Sequence, residues 1–221
     1  MLIPQIVGPS QEFYKSALMF LAYTPVEELA VEERITLATD MALAAVTGDD
    51  IFNFGEVLAT PILDSLKGTD SQWLHDLVMS LHHGSINEFN SVVDKYREKY
   101  FEQPALSSKN EEVKKKVVLL ALMNIAFERS ANDRQISFTD IAARTCIDVT
   151  QVEWVVMRAM SLGLIKGTMD QVDQSVNVTW IQPRILDKEQ LSVIGEQLDI
   201  WAGSVKETLA DVTDQAQEIL V

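Results

Sequence analysis

The sequence predicts a mostly α-helical chain: a helical-repeat, TPR-like solenoid, then a compact module of helices with a β-hairpin, then one long terminal helix. Three observations predict it. From Gln11 to Asn132 apolar residues recur at helical spacing, in segments of ~10 to 20 residues parted by proline, glycine and capping residues. Between Ile136 and Trp180 a short strand and two brief helices lead into a hairpin, where the period shortens to strict alternation over Val176 to Trp180. Beyond Asp187 one apolar stripe continues for about thirty residues without a breaker.

Phe13, Ala17 and Phe20 mark the first helix, stopped near Thr24-Pro25 because proline lacks an N–H and constrains its predecessor. The second runs from about Glu32 to Thr47. Its Ala38, Ala42 and Ala45, interleaved with Ile35 and Met41, let a neighbouring helix come close, and Gly48-Asp49-Asp50 closes it. Short helices are expected over Asn53 to Ala59 and Ile62 to Leu66, on either side of Thr60-Pro61. Another covers Ser71 to His83 with Leu74, Leu77, Val78 and Leu81 inward and Gly84 at its end. Ser85 and Glu88 have the spacing of a reciprocal cap, opening a helix striped by Ile86, Phe89, Val93, Tyr96 and Tyr100. Ser108 and Glu111 repeat that spacing before a helix from Glu112 to about Ala131. Val117 to Ala126 is apolar nearly all round, as expected of a helix buried on several sides where the solenoid meets the next module. Lys114, Lys115 and Lys116 read as a solvated edge. The pairs accumulate without a strict sequence period.

Gln135 to Phe138 reads as a short edge strand, and Ser137 with Asp140 caps a helix through Ile141-Ala142-Ala143. Thr150 with Glu153 is expected to cap the next helix, with Val152, Val155, Val156 and Ala159 inward and Gly163 ending it. Leu164 to Met169 then pairs with a strand in which Val176, Val178 and Trp180 alternate with Asn177 and Thr179. Strand, two helices and a hairpin make a winged helix, closed by Gln182-Pro183-Arg184. The second helix points Gln151, Trp154, Arg158 and Ser161 outward, which offers a phosphate backbone a single cation. With a formal charge of -15, nucleic acid is excluded as the expected ligand. Trp154 is a candidate partner contact, with packing against the hairpin as its alternative.

The last helix starts at Asp187, in capping register with Gln190. Leu191, Ile194, Leu198, Trp201 and Val205 fall three and four apart, and Leu209, Val212, Ala216 and Ile219 continue on a slightly rotated stripe. The rod is roughly 45 Å long. Glu196, Asp199, Glu207, Asp211, Asp214 and Glu218 occupy its other face. A compact winged helix is too small to cover such a stripe, so the helix is expected to bundle with helices of other chains. Folding back onto its own domain is the alternative.

The 221 residues, 47% of them hydrophobic, suffice for a sizeable core. No apolar run is long enough to span a bilayer, and MLIPQIVGPS lacks the parts of a secretory signal, so no membrane association and a cytoplasmic and nuclear location are expected. Cys146 is the single cysteine and reads as a small core residue; His75, His82 and His83 read as surface or helix-end residues. Glycine-rich phosphate loops, nucleophile elbows and paired cysteines are missing, so neither catalysis, a metal, a cofactor nor a small-molecule substrate is expected.

Three segments, MALAAVTGDDIFNFGEVLATPIL (Met41 to Leu63), SLHHGSINEF (Ser80 to Phe89) and SLGLIKGTMDQVDQSVNVTWIQPR (Ser161 to Arg184), together with this order of modules, resemble the PCI family of scaffold subunits. That family occurs in the proteasome regulatory-particle lid, the COP9 signalosome and a translation initiation factor, and the likeness is greatest to its lid members. It implies a non-catalytic scaffold in ubiquitin-dependent degradation, partnered by other PCI-type lid subunits. It implies a lateral-contact element at Val176 to Trp180 and a bundle helix at Leu191 to Ile219. The expected domains are 1–131 helical repeats, 132–184 winged helix and 185–221 bundle helix. Members of the family usually carry a longer repeat array, so the chain is expected to correspond to a C-terminal portion of one.

Overall fold

The computed structural model describes residues 10–129, 134–183 and 188–216. The expected helix end near Ala131, Arg184, the Asp187 cap, Glu218 and Ile219 lie outside them, as do the side chains of Gln190 and Ala216. The chain divides into two units, Met1–Ile185 and Leu186–Val221.

In the first unit α1 (Ser10–Tyr23) packs on α2 (Val31–Thr47). Ala38, Ala42 and Ala45 have no exposed surface, so bare methyl groups let neighbouring elements approach the α2 backbone. Next come α3 (Phe54–Ala59), a 3-10 turn at Pro61–Leu66 in place of the second short helix, and α4 (Gln72–His83). Leu74, Leu77, Val78 and Leu81 face the core as their spacing predicts. Gly84 ends α4 in the left-handed region at φ 60, and a Cβ there would fall 2.5 Å from Asn124 Nδ2.

The helix expected to run unbroken to Tyr100 is split into α5 (Ile86–Lys95) and α6 (Arg97–Glu102). Tyr96 leaves helical geometry at φ -114, ψ 30, and its hydroxyl donates to Asp76 Oδ2 at 3.0 Å. Ser85 accepts from the Glu88 N–H as a cap should, but the Glu88 carboxylate takes His83 Nδ1 at 3.0 Å instead of reaching back. A short α7 (Pro104–Ser108) precedes α8 (Asn110–Glu128). Ser108 therefore does not cap α8: it closes α7, donating to the Ala105 carbonyl at 3.2 Å.

α8 is the axis of the unit. It packs against α2, α4, α5 and α7 on one side and against the winged helix on the other, so Leu119 to Ala126 is buried without a break. The expectation of three solvated lysines is corrected at Lys116. Lys114 pairs with Glu111 and Lys115 is exposed, but Lys116 is only 5% exposed. Its Nζ donates to the carbonyls of Ala45 (2.8 Å), Val46 (3.3 Å) and Gly48 (2.6 Å), and Lys109 Nζ donates to that of Thr47 (3.1 Å). With Gly48 N–H bonded to the Ala44 carbonyl at 2.9 Å, two lysines of another segment finish the C-terminus of α2, where carbonyls lack helical partners and cations are favoured. Burial pushes the Lys116 amine down to about 7; Asp49 opposes this, Lys109 adds to it and Asp50 opposes it.

The winged helix comprises β1 (Gln135–Ser137), α9 (Phe138–Thr145), α10 (Val149–Ser161), β2 (Ile165–Asp170) and β3 (Ser175–Ile181). The antiparallel sheet has the order β1-β3-β2, with a register shift at Lys166/Gly167. A Cβ on Gly167 would stand 2.1 Å from the Asn177 carbonyl oxygen, so the irregularity needs glycine. Ser137 Oγ accepts from Asp140 N–H at 3.1 Å as expected, while the Asp140 carboxylate pairs with Arg129 at 3.0 Å. The cap of α10 is Asp148 rather than Thr150. Asp148 Oδ1 accepts from the Thr150 N–H (2.9 Å) and hydroxyl (2.8 Å), and Glu153 accepts from Gln171 Nε2 in the hairpin turn (3.0 Å). Cys146 is exposed at φ 52, ending α9 in left-handed geometry, and is not a core residue. A continuous apolar cluster extends from Tyr14 through α8 to Val178. The second unit is described as α11 (Lys188–Ala216), 29 residues or about 43 Å.

Candidate protein-interaction surfaces

Helix α10 divides its faces as the sequence requires. Val152, Val156 and Ala159 are buried, while Gln151, Trp154, Arg158 and Ser161 are outside. Trp154 is 73% exposed, so it faces solvent instead of packing against the hairpin. Met157 is also exposed.

The hairpin requires a correction. Val176 and Val178 were expected in the lateral-contact element, yet both side chains are buried in the module's own core. Strand β3 is central and pairs on both edges, so its backbone is also occupied. The two valines hold the sheet's shape, and the large apolar surface of the element is Trp180, 37% exposed with Lys166 Nζ 4.7 Å above its ring, beside the exposed polar Asn177 and Thr179. The sheet's edges are β1 and β2. Val172, at the turn, is 92% exposed and escaped the periodicity reading. Its signal is an apolar side chain in a polar turn that Asp170 Oδ1 organises by accepting from the Val172 and Asp173 N–H groups (2.9 and 3.1 Å).

On α11, Leu191, Leu198, Trp201, Val205, Leu209 and Val212 are exposed and Ile194 is half-buried. Ile200 is a further exposed apolar residue off the stripe. Spacing along the seam is 3-4-3-4 from Leu191 to Val205, then 4-3 to Leu209 and Val212, which rotates the stripe in the way an added step does in a coiled coil. Glu196, Asp199, Glu207, Asp211 and Asp214 are exposed. Each large apolar side chain left in water forgoes ~1.5–3 kcal/mol that full burial provides.

Among the described residues no group of three His, Cys, Asp or Glu side chains is placed to hold a metal, and no helix is long and apolar enough to cross a membrane. His82 and His83 stand in the last turn of α4, as helix-end residues; His82 is buried on its inner side, whereas His83 is exposed against Glu88. Burial also pushes the phenols of Tyr14 and Tyr100 up, Tyr100 to about 12, as core tyrosines behave.

A helical array that shares its core with a winged helix is the architecture of PCI proteins, and the comparison with known families agrees. Residues 93–180 match the PCI domain and residues 3–78 match the PSD13 N-terminal repeats. The chain thus carries a PCI domain, preceded by repeats of the PSD13 N-terminal type. It is 38% identical to the 26S proteasome non-ATPase regulatory subunit 13 homolog A of Arabidopsis thaliana, over 95% of this chain and 54% of that protein. It is 32% identical to the 26S proteasome non-ATPase regulatory subunit 13 of Dictyostelium discoideum (96% and 55%). It is 33% identical to the 26S proteasome regulatory subunit RPN9 of Saccharomyces cerevisiae (95% and 52%). The chain spans about half the length of these relatives.

Proposed function

We propose that this chain is part of a non-catalytic scaffold subunit of the proteasome regulatory-particle lid, serving ubiquitin-dependent degradation in cytoplasm and nucleus. The observation that carries the reading is the exposed seam of α11, together with the names of the relatives. The work is divided among the helical repeats of 1–131, the winged helix of 132–184 and the bundle helix of 185–221. Leu191, Ile194, Leu198, Trp201, Val205, Leu209, Val212 and Ile219 join helices of other lid subunits. Trp154 and Trp180 contact neighbours laterally, with Val176 and Val178 supporting the sheet from beneath. Burial of the seam drives assembly, Trp201 and the leucines being the anchors, while the acidic positions set orientation and reject wrong neighbours.

The test removes residues 186–221 from the full-length subunit and follows lid assembly by native electrophoresis and mass spectrometry of the complex. The truncated subunit is expected to keep its helical content and fail to enter the lid. Incorporation equal to that of the intact subunit overturns the bundle role.

A further inference from the structure

A groove of about 920 Å³ opens within the first unit, between the end of α2, the first half of α8 and the outer face of α10. Its apolar wall includes Val118, Ile147, Val155, Leu162 and the exposed ring of Trp154. Its rim is cationic, against the trend of a chain with formal charge -15. Two carboxylates line it, Asp49 and Glu112, and both lie 3.7 Å from Lys109 Nζ; against Lys109, Lys115 and Arg158 they leave the lining with an excess of positive charge. Lys115 and Arg158 remain exposed on the lining, and neither forms an ion pair among the described residues.

We propose that this groove docks an acidic amphipathic helix of a partner protein, its apolar stripe against Trp154 and its carboxylates against Lys115 and Arg158. Two features select a helix over an extended peptide. The walls are helices, and the carbonyls that end α2 are already taken by Lys116 and Lys109, so little main chain is free to pair with a strand. An occupant must therefore satisfy its own backbone and be read through side chains, which is the helix-in-groove mode. Charge selects the sign: two cations without counterions attract a carboxylate-bearing edge and repel a lysine-bearing one. The surface is distinct from the α11 seam and does not rest on the bundle role.

The probe is a fluorescein-labelled synthetic helix of about eighteen residues, ~27 Å long, with leucines at i, i+3, i+4 and i+7 and glutamates flanking them. A control carries lysines in place of the glutamates, and binding to the full chain is read by anisotropy. The glutamate helix is expected to bind saturably, more weakly as salt rises, and the lysine helix not to bind. Lys115→Glu with Arg158→Glu, and separately Trp154→Ala, should each weaken binding about tenfold or more, equivalent to ~1.4 kcal/mol. These side chains are exposed, so circular dichroism should be unchanged. Equal binding of both helices, absence of saturation, or indifference to the double substitution overturns the proposal. Loss of binding in Trp201→Glu but not in Trp154→Ala also overturns it, because the probe would then sit on α11, and the bundle reading would stand.

Discussion

Replacing Lys116 by methionine keeps the length of the buried side chain and removes every donor it carries. Three carbonyls, of Ala45, Val46 and Gly48, lose a partner at 2.6–3.3 Å. A buried acceptor left without a partner costs ~1–3 kcal/mol. Gly48 lies on the groove, where water can replace the amine, and methionine avoids the desolvation that the amine suffers. The net loss at pH 7 is therefore about 2 kcal/mol, a fall of ~4–8 °C in Tm for a chain of this size. The pH dependence carries its own sign. The amine titrates at about 7 in the fold, against the ordinary 10.5, so between those values the unfolded chain holds a proton that the native chain has released. Stability of the wild type must then rise with pH across that window, by about 2 kcal/mol from pH 7 to 9, while Lys116→Met lacks this term. Urea melts of both proteins at pH 7 and pH 9 measure it. A methionine variant as stable as the wild type at pH 7 would refute the capping role, and a gap between the two that fails to widen at pH 9 would refute the lowered pKa.

Leu198→Glu with Trp201→Glu should leave the unfolding free energy of the isolated chain within ~0.5 kcal/mol of wild type, because both side chains are exposed, yet abolish entry into the lid in the native-gel assay. Gly84→Ala meets both a positive φ and Asn124, whose amide donates to the His83 carbonyl, and should cost ~1–3 kcal/mol in denaturant melts. Asp148→Ala should lower Tm, and Thr150→Val should lower it less, since the Asp148 carboxylate and not the Thr150 hydroxyl accepts the first-turn N–H. The hydrogen bonds from Thr150 hold the Asp148 carboxyl below its ordinary 3.8. Its contribution is thus present above that pH and lost as pH falls through the lower native value, so thermal melts of wild type and Asp148→Ala should converge in acid.

Many helix stops and the buried helix faces were written in local sequence, because proline and glycine act on their own backbone and periodicity fixes which side is apolar; the starts of α8 and α10 were not, since Ser108 closes α7 and Asp148 caps α10. Pro25, Gly48, Gly84 and Gly163 stop helices where they stand, and the alternation around Val176 and Val178 places both valines inside. The α11 stripe was equally legible, and its exposure needed only the length of the helix. Other outcomes depended on atoms far along the chain. Tyr96 breaks a helix while bonding Asp76, twenty positions earlier, and Lys116 is buried on carbonyls 68 to 71 positions away. Nothing near a lysine in the sequence says whether its flexible stem will reach water or an unfinished helix end. That choice is a balance between desolvating an amine and leaving carbonyls unpaired, and it exists only once α8 is packed against α2.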